Sequence, residues 1–475
     1  MDIKVVQTRF KTADYDFNFK SVNNALKSSN AELFICAAAD ISELGGKDLC
    51  YDEKSAFNQA EFYRKLALEN ADKKILIGDV LLKNGEVFET EDGFFDIDGF
   101  KIYVSDTFIS DIECDLYVLA KNRYYAMNTY KDFVESIEPV TDFIYINAIA
   151  MADENVYAGA SFAKNKNNEL VMQMPLCEEI SLNVDFNTPI EFNEELKESE
   201  LLKVTTFALK EYCENTGFKK VILGLSGGID SALTAALAAK AIGPENVLGI
   251  LLPSMFSSAG SIDDSLKLAQ NLGIKTEKHP IIPLFDLFMD KVAHETVDTS
   301  GKEHLAVENL QARLRALILM YFSNRDNRLL LSTGNKSEAA MGYGTLYGDM
   351  AGGLNVICDL TKTNVYALSN YINKDGEIIP QEIIDKAPSA ELRPGQKDQD
   401  SLPDYAVLDD IIEMYLEEGK SVDEISEKYD KNLVETTIRK IYRAEFKRRQ
   451  CCLGVRLTER SFTNGISLPI VQKCY

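Results

Sequence analysis

Residues 219–254, KKVILGLSGGIDSALTAALAAKAIGPENVLGILLPS, decide the fold of the C-terminal half of the chain. The run KKVILGLS has the continuous apolar character of a buried parallel strand, and a glycine-rich turn follows it. An alanine-rich stretch typical of a helix comes next, and NVLGILLPS predicts a second strand. The pattern repeats with a predicted amphipathic helix at 261–273 and a third strand at 274–281. This alternation predicts a βαβαβ unit of a doubly wound parallel sheet, whose ligands bind at the carboxyl ends of the strands.

The turn after the first strand contains residues suited to binding a nucleotide. It consists of Gly224, Leu225, Ser226, Gly227, Gly228, Ile229, Asp230 and Ser231. Adjacent glycines let backbone N–H groups point inward, and with the start of the next helix they form a cradle for a pyrophosphate. The serine hydroxyls add donors, and the Asp230 carboxylate predicts a divalent cation bound with the phosphates. A plain turn capped by Asp230 is the alternative. The spacing excludes a P-loop of the GxxxxGK[ST] type.

The pattern SGGxDS at such a turn resembles the loop of the ATP pyrophosphatases. This resemblance implies that ATP is cleaved between its α and β phosphates, a substrate oxygen is adenylated and a nucleophile then displaces AMP. Further motifs follow in the order ENLQARLR (308–315), STGNKSE (332–338), GYGTLYGDMAGG (342–353), DLTKTNVYALSNYIN (359–373), KAPSAELRPGQKDQDSLPDYAVLD (386–409) and EFKRRQ (445–450). In content and order these motifs are similar to the NAD synthetases of the long form, in which a synthetase domain follows a nitrilase-like amidase domain.

The resemblance assigns roles to single residues around the nucleotide. It implies that Thr333 and Lys362 contact ATP, and that Glu338 contacts magnesium or the dinucleotide substrate. Thr333 follows the apolar run RLLLS, so its hydroxyl can reach a nucleotide at the end of that strand. Asp230 and Lys362 are the expected catalytic residues, and Asp230 and Glu338 the expected Mg²⁺ ligands.

Three further residues are expected to bind deamido-NAD. Asn309 and Arg313 are spaced (i, i+4) on one face of a predicted helix, which suits the nicotinic acid mononucleotide half of that substrate. A solvated helix face is the alternative for Arg313. Lys447 begins a basic cluster and matches a substrate-contacting lysine of the family, near the pyrophosphate.

The implied reaction is the last step of NAD biosynthesis, with ATP as co-substrate and Mg²⁺ as cofactor. The nicotinate carboxylate of deamido-NAD attacks the α-phosphate of ATP, which releases pyrophosphate and gives an adenylated intermediate. Ammonia then displaces AMP. Alignment and charge neutralisation supply the catalysis, so no covalent protein nucleophile is required.

The N-terminal part reads as a shortened nitrilase-like domain over residues 1–190, with alternating strands and helices typical of an α/β layered fold. The polar stretch 185–200 predicts a linker that leads into a helix at 201–215. The synthetase domain is expected at 195–475, with a helical C-terminal part.

The catalytic triad of that amidase domain is not recognisable in the sequence. The family uses a Glu-Lys-Cys triad to release ammonia from glutamine. Ala37 and Ala38 occupy the place of the Glu, the segment that would hold the Lys is missing, and Tyr103–Phe108 (YVSDTF) has no thiol. Cys114 is expected to be a buried thiol. We therefore predict a pseudo-amidase and free ammonia as nitrogen donor, with glutamine as the alternative, used through an atypical N-terminal site or a separate glutaminase.

Composition restricts the possible partners. The chain has 51 Lys and Arg against 75 Asp and Glu, a net charge of −24, which disfavours nucleic acid and anionic membranes. Residues 419–450 have helix-turn-helix spacing and end in a basic cluster, so an RNA-modifying ATP pyrophosphatase is a distant alternative. Nine cysteines without CxxC spacing predict a reducing, cytoplasmic location. The family resemblance implies a homo-oligomer, a dimer or larger, and the polar stretch 293–304 predicts a lid.

Overall fold

The computed structural model describes residues 1–28, 30–38, 47–295 and 304–473. The chain forms two compact units, Met1–Val204 and Thr205–Tyr475. None of the helices in the described ranges is long and apolar enough to cross a membrane. Most of the predicted lid, residues 296–303, lies outside the described residues. The predicted domain ranges 1–190 and 195–475 stay predictions.

The N-terminal unit contains two sheets and a hairpin. Its strands are β1 (Ile3–Gln7), β2 (Leu33–Cys36), β3 (Lys74–Ile77), β4 (Val80–Lys83), β5 (Glu86–Phe88), β6 (Phe94–Ile97), β7 (Phe100–Ser105), β8 (Leu116–Ala120), β9 (Asp142–Ile146), β10 (Ile149–Ala152), β11 (Asn155–Ala158), β12 (Phe162–Lys164), β13 (Leu170–Gln173) and β14 (Ile180–Asn183). The sheet orders are β14-β1-β2-β3-β4-β5 and β13-β12-β9-β8-β7-β6, and β10 pairs with β11. Each larger sheet has three parallel strands at its centre and antiparallel strands at its edges.

The two larger sheets of this unit share one core. Val5 and Ile35 of the first sheet and Val118 and Ile144 of the second belong to the same cluster of fully buried side chains. Because side chains alternate along a strand, the neighbouring Tyr117 points to the other face of its sheet, into a smaller cluster that includes residues of a helix. The helices of this unit are α1 (Tyr15–Lys27), α2 (Glu53–Glu69) and α3 (Tyr130–Ser136). The predicted α/β layered fold is confirmed.

One continuous apolar run in this unit forms two strands. The run KKILIGDVLL (residues 73–82) has the sequence pattern of a single strand, but it forms β3 and β4, which pair antiparallel. Gly78 lies in the turn between them with φ +60°, a left-handed conformation that glycine adopts without steric cost.

The C-terminal unit is built around a parallel sheet. Its strands are β15 (Val221–Gly224), β16 (Val247–Leu251), β17 (Lys275–Lys278), β18 (Leu329–Ser332) and β19 (Leu354–Asn355). Its helices are α4 (Lys197–Thr216, shared with the first unit), α5 (Ile229–Ile242), α6 (Ala259–Leu272), α7 (Ile282–Phe288), α8 (Leu305–Asp326), α9 (Lys336–Met341), α10 (Lys362–Ile372), α11 (Gln381–Asp385), α12 (Tyr405–Ile412), α13 (Val422–Ser426), α14 (Lys431–Arg443) and α15 (Glu445–Arg448). The strand order β17-β16-β15-β18-β19, parallel throughout, confirms the predicted doubly wound sheet.

The predicted linker ends earlier than expected. Residues 197–200 form the first turn of α4, although their polar sequence reads as a loop. Glu198 and Glu200 lie in that turn, where negative charge is favourable beside the positive end of the helix dipole.

The basic side chains of α15 form hydrogen bonds and ion pairs with other residues of the protein. The Arg448 guanidinium is buried and donates to Glu445 and to the Ala339 carbonyl. The neighbouring Lys447 ammonium is bound by two carbonyl oxygens. Arg449 Nε donates to the second oxygen of Glu445 at 2.6 Å, so all three charges in the predicted basic cluster bind the protein's own atoms.

Candidate active site

A cavity of about 630 Å³ lies at the carboxyl ends of β15, β16 and β18. At this point the order in which the chain adds strands reverses, because β16 pairs with one edge of β15 and β18 pairs with the other. Doubly wound sheets bind their ligands at this switch point. The whole predicted phosphate loop, Gly224 to Ser231, lines the cavity.

The phosphate loop is held by its own serine side chains. The Ser226 and Ser231 hydroxyl oxygens lie 3.1 Å apart, and the Gly228 N–H donates to Ser226 Oγ at 3.2 Å. Ser231 Oγ also donates to the Gly228 carbonyl at 3.0 Å. The loop is thus ordered at the N-terminus of α5, where N–H groups lack intrahelical partners and attract anions.

Gly227 is required by both conformation and space. Its φ is +77°, and a Cβ atom there would lie 2.5 Å from the Ser261 carbonyl oxygen of α6. A side chain would therefore force the loop away from α6. Gly227 accordingly allows the backbones of the loop and of α6 to lie in close contact.

Two acidic side chains flank one buried ammonium group at the base of the cavity. Lys362 Nζ lies 2.5 Å from Asp230 Oδ2 and 3.5 Å from Glu338 Oε1, and its side chain is 2% exposed. Burial opposes the charge of Lys362, but Asp230 and Glu338 together hold its pKa above the ordinary value. Burial and the nearby Asp230 raise the pKa of Glu338 to about 8. The buried position of Glu338 therefore disfavours its charged form, and the nearby Asp230 carboxylate adds to this effect.

The Asn335 side chain links the Asp230 carboxylate to the first turn of α9, and the sequence analysis does not select this residue. Its side chain is fully buried and caps α9, where Oδ1 accepts the Glu338 N–H at 2.9 Å. Its Nδ2 donates to Asp230 Oδ1 at 2.8 Å. The signal for this residue is the capping-box pattern Asn-x-x-Glu inside STGNKSE.

The structure brings together all but one of the predicted site residues. Thr333, Asn309, Glu338, Lys362 and Lys447 line the same cavity as the phosphate loop. Arg313 does not line it, and its Nε donates instead to the Leu346 carbonyl at 3.1 Å. The expected binding role of Arg313 stays a prediction.

Asn309 and Lys447, which are expected to bind deamido-NAD, also have partners within the fold. Asn309 Oδ1 accepts a hydrogen bond from the Thr345 hydroxyl at 2.8 Å. Lys447 Nζ donates to the Gly342 and Gly344 carbonyls, at 2.8 Å each. Burial lowers the pKa of Lys447.

Further charged residues that the sequence analysis does not select line the cavity, among them Asp398 and Arg315. Asp398 is buried and accepts hydrogen bonds from the Tyr405 and Tyr343 hydroxyls, at 2.8 and 3.2 Å. Burial raises its pKa. Arg315 donates to the Leu252 carbonyl, and burial lowers its pKa to about 10. Both lie inside the quoted motifs, but nothing in their spacing distinguishes them from neighbouring residues.

In the N-terminal unit, packed side chains surround the places where the amidase triad is expected. Ala37 is fully buried, and the Ala38 carbonyl accepts a hydrogen bond from Asn122 at 3.0 Å. Phe108, at the end of YVSDTF, stacks on Tyr117 with a centroid distance of 5.7 Å.

Two thiols of this unit have raised pKa values. Burial raises the pKa of Cys36 to about 12, and burial also raises the pKa of the half-buried Cys114. Neither thiol resembles an activated cysteine, whose pKa is lowered.

Comparison with known protein families identifies the C-terminal part. The model of the NAD synthase family matches residues 201–451. The glutamine-dependent NAD(+) synthetase of Synechocystis sp. is 42% identical over 338 residues, which cover 69% of this chain and 60% of that protein. The enzyme of the same name from Thermotoga maritima is 44% identical over 281 residues, 58% of this chain and 48% of that protein. The chain thus spans about half to three-fifths of the length of these curated relatives.

Solved structures are similar over nearly the whole chain. The glutamine-dependent NAD+ synthetase of Acinetobacter baumannii, in complex with ADP, aligns with a TM-score of 0.73 and 28% identity, covering 99% of both chains. The glutamine-dependent enzyme of Cytophaga hutchinsonii aligns with a TM-score of 0.82, 99% of this chain and 98% of that one. At 18% identity, this second likeness concerns the fold alone.

Proposed function

The chain belongs to the NAD synthase family, in the form with a fused nitrilase-like N-terminal domain, and we propose that it makes NAD+ by ATP-dependent amidation of deamido-NAD. The observation that carries this proposal is the grouping of the phosphate loop, Asp230, Glu338 and Lys362 around one cavity at the switch point of the sheet. Nucleotide-binding N–H groups and a buried cation lie together there, as adenylation of a carboxylate requires.

In the proposed first step, the cavity aligns ATP with the nicotinate carboxylate of deamido-NAD. The N–H groups at the start of α5, which have no intrahelical partner, bind the phosphates together with the rest of the phosphate loop. The Lys362 ammonium stabilises the negative charge that develops as pyrophosphate leaves. Because Lys362 is 2% exposed, water screens that interaction little.

The donor set at the base of the cavity fits magnesium. Mg²⁺ is usually held by one or two carboxylates, with substrate phosphates and water completing its octahedron. Asp230 and Glu338 supply two carboxylates, which lie on the same ammonium group of Lys362 at 2.5 and 3.5 Å. Among the described residues, no group of three or more His, Cys, Asp or Glu side chains forms a metal cage, so the nucleotide would supply the remaining ligands. The bound ion would neutralise phosphate charge.

In the proposed second step, ammonia attacks the adenylated carboxyl and AMP leaves. Asn309, Arg313 and Lys447 are proposed to bind deamido-NAD, of which Asn309 and Lys447 line the cavity. No protein side chain needs to form a covalent bond in either step, so alignment and electrostatics carry the reaction.

The source of the ammonia is proposed to be glutamine rather than free ammonium. The relatives are named glutamine-dependent enzymes, which supports the alternative over the sequence-based prediction of free ammonia and a pseudo-amidase. Hydrolysis would take place at an atypical site in the N-terminal unit or on a separate glutaminase. The raised pKa values of Cys36 and Cys114 argue against these two thiols as nucleophiles.

A competition between nitrogen donors tests this part of the proposal. The purified chain receives deamido-NAD, ATP, Mg²⁺ and amide-¹⁵N glutamine, alone or together with unlabelled ammonium chloride, and mass spectrometry follows label entering NAD+. An atypical site predicts ¹⁵N-NAD+ from the chain alone, and a separate glutaminase predicts it only after a glutaminase is added. If unlabelled ammonium suppresses all incorporation even with a glutaminase present, the glutamine proposal is wrong.

A further inference from the structure

Asp409 is a buried carboxylate of α12 to which the proposed function gives no role. It is 4% exposed and does not line the cavity. Its Oδ1 accepts a short hydrogen bond from the Ser337 hydroxyl, and its Oδ2 accepts the Thr363 N–H at 2.8 Å. The carboxylate thus binds a side chain of α9 and the backbone of α10 at once.

The hydrogen-bond chain continues to the proposed catalytic lysine. Ser337 Oγ, which donates to Asp409, accepts the backbone N–H of Lys362 at 2.9 Å. Lys362 and Thr363 are the first two residues of the 11-residue helix α10. A negative charge at a helix N-terminus is favourable, since the first N–H groups lack intrahelical partners.

The two helices that Asp409 joins carry the groups of the site. Glu338 follows Ser337 in α9, and the Lys362 ammonium of α10 lies 3.5 Å from its carboxylate. A shift of α10 against α9 would change this distance and the 2.5 Å contact of Lys362 with Asp230.

We propose that Asp409 is a positioning residue for the amidation, a role that rests on the function proposed above. It fixes the first turn of α10 against α9, so that the Lys362 ammonium stays between Asp230 and Glu338. The Lys362 ammonium is then already positioned to stabilise negative charge on the α-phosphate and the leaving pyrophosphate.

Packing alone does not account for a carboxylate at this position. Leu408, Ile411 and Ile412 of the same helix are fully buried and already anchor α12. Burying a carboxylate among them has a desolvation cost, which an apolar residue of similar size would avoid. What the carboxylate adds is two directed hydrogen bonds to α9 and α10, and thus a defined geometry.

The substitution Asp409→Asn tests the role with little change of shape. If the asparagine oxygen accepts the Thr363 N–H, its NH₂ group faces Ser337, whose hydroxyl loses its acceptor. The variant Ser337→Ala removes the link from the other side. Asp410→Asn is the matched control, since the neighbouring carboxylate contacts Lys428 and Tyr429 instead.

Steady-state NAD+ formation from deamido-NAD, ATP, Mg²⁺ and ammonium is measured for wild type, the single variants and D409N/S337A. We expect kcat to fall about 10- to 100-fold in D409N and in S337A, with the KM for ATP within about threefold, because alignment is lost and binding is not. The kcat of the double variant should be no more than about twofold lower than that of either single variant, because all three variants interrupt the same chain of hydrogen bonds. D410N should stay within about twofold of wild type.

Three results would overturn the inference while the proposed function stands. The first is a kcat of D409N within twofold of that of D410N. The second is a D409N enzyme whose KM for ATP changes while its kcat does not. The third is a fall in kcat in the double variant that equals the product of the falls in D409N and S337A. If a thermal melt shows that D409N does not fold, S337A provides the test. A fall in its kcat with an unchanged KM for ATP supports the inference, and a change in KM alone overturns it. A wild-type chain that makes no NAD+ overturns the proposed function and this inference with it.

Discussion

The ammonium of Lys362 lies 2.5 Å from the carboxylate of Asp230, a residue 132 positions earlier in the chain. Asp230 lies in the first turn of α5 and Lys362 is the first residue of α10. The starts of two helices therefore meet at the carboxyl ends of the parallel strands, and each supplies one charge of the site.

Replacing Lys362 by Met should remove the proposed stabilisation of the leaving pyrophosphate. We expect kcat to fall about 10²- to 10³-fold, the usual loss when one preorganised electrostatic group is removed. Pyrophosphate release in the presence of deamido-NAD, ATP and ammonium measures the effect. Lys374→Met is the control, because that exposed lysine lies just beyond the end of α10 and contacts Tyr371. A K362M enzyme as active as K374M would refute the role of Lys362.

Gly227→Ala should disrupt the phosphate loop, since the new Cβ would lie 2.5 Å from the Ser261 carbonyl oxygen. Displacing the loop should lower kcat/KM for ATP by about 10²-fold. Gly217→Ala is a matched control: its φ of +81° is close to the +77° of Gly227, but nothing lies within 4 Å of its Cβ. The control should lose about 1–2 kcal/mol of stability through the left-handed conformation and keep its activity. Equal activity in the two variants would contradict a phosphate-binding role for this loop.

Asn335→Ala should reduce both stability and activity. The substitution leaves the Glu338 N–H and one oxygen of Asp230 without their present partner. We expect the free energy of unfolding to fall by about 1–3 kcal/mol, as for a lost N-cap with buried hydrogen bonds. Urea denaturation gives the stability, and the same preparation gives kcat. A stable variant with normal kcat would show that the Asn335 side chain does not hold Asp230 against the start of α9.

Lys336→Met should lower the free energy of unfolding far more than the same substitution of an exposed lysine. Lys336 Nζ lies 2.9 Å from Asp359 and 2.6 Å from Glu417, and the Lys336 and Asp359 side chains are 2% and 1% exposed. Removing the ammonium leaves Asp359 buried without its cation, at a cost of about 3–5 kcal/mol. Thermal and urea unfolding measure the difference, with the more exposed Lys420→Met as control. If both variants unfold at the same urea concentration, this buried cluster does not stabilise the unit.

The same lysine also gives a dependence of stability on pH. Burial opposes its charge, but Asp359 and Glu417 hold its pKa above the ordinary value of 10.5. The folded state thus binds the proton more tightly than the unfolded state. The stabilisation is fully present below pH 10.5 and is lost as the pH rises through the higher folded value. Wild type should lose stability above pH 10.5 more steeply than K336M, and parallel curves would contradict this.

The fold of the C-terminal unit was predictable because its signals are local. Apolar runs, the Gly227-Gly228 turn and amphipathic spacing place strands and helices within a few residues of those observed. The turn between β3 and β4 was missed, because the apolar residues on either side of Gly78 continue as if in one strand. The start of α4 was missed as well, since its first turn is polar.

The site was predictable where a residue lies in a distinctive motif and not where it acts through a neighbour. Asp230, Glu338 and Lys362 were selected and are brought together by the sheet. Asn335 and Asp409 were not, because their importance depends on contacts across 105 and 72 positions of the chain. Such contacts exist only once α5, α9, α10 and α12 have packed.

The central claim is the chemistry of the cavity, and a product balance tests it most directly. The purified chain is incubated with deamido-NAD, ATP, Mg²⁺ and ammonium, and the nucleotides and pyrophosphate are quantified by chromatography and ³¹P NMR. The account predicts NAD+, AMP and pyrophosphate in equal amounts, with no AMP when deamido-NAD is omitted. Release of ADP and phosphate, or AMP formation that does not depend on deamido-NAD, would contradict it.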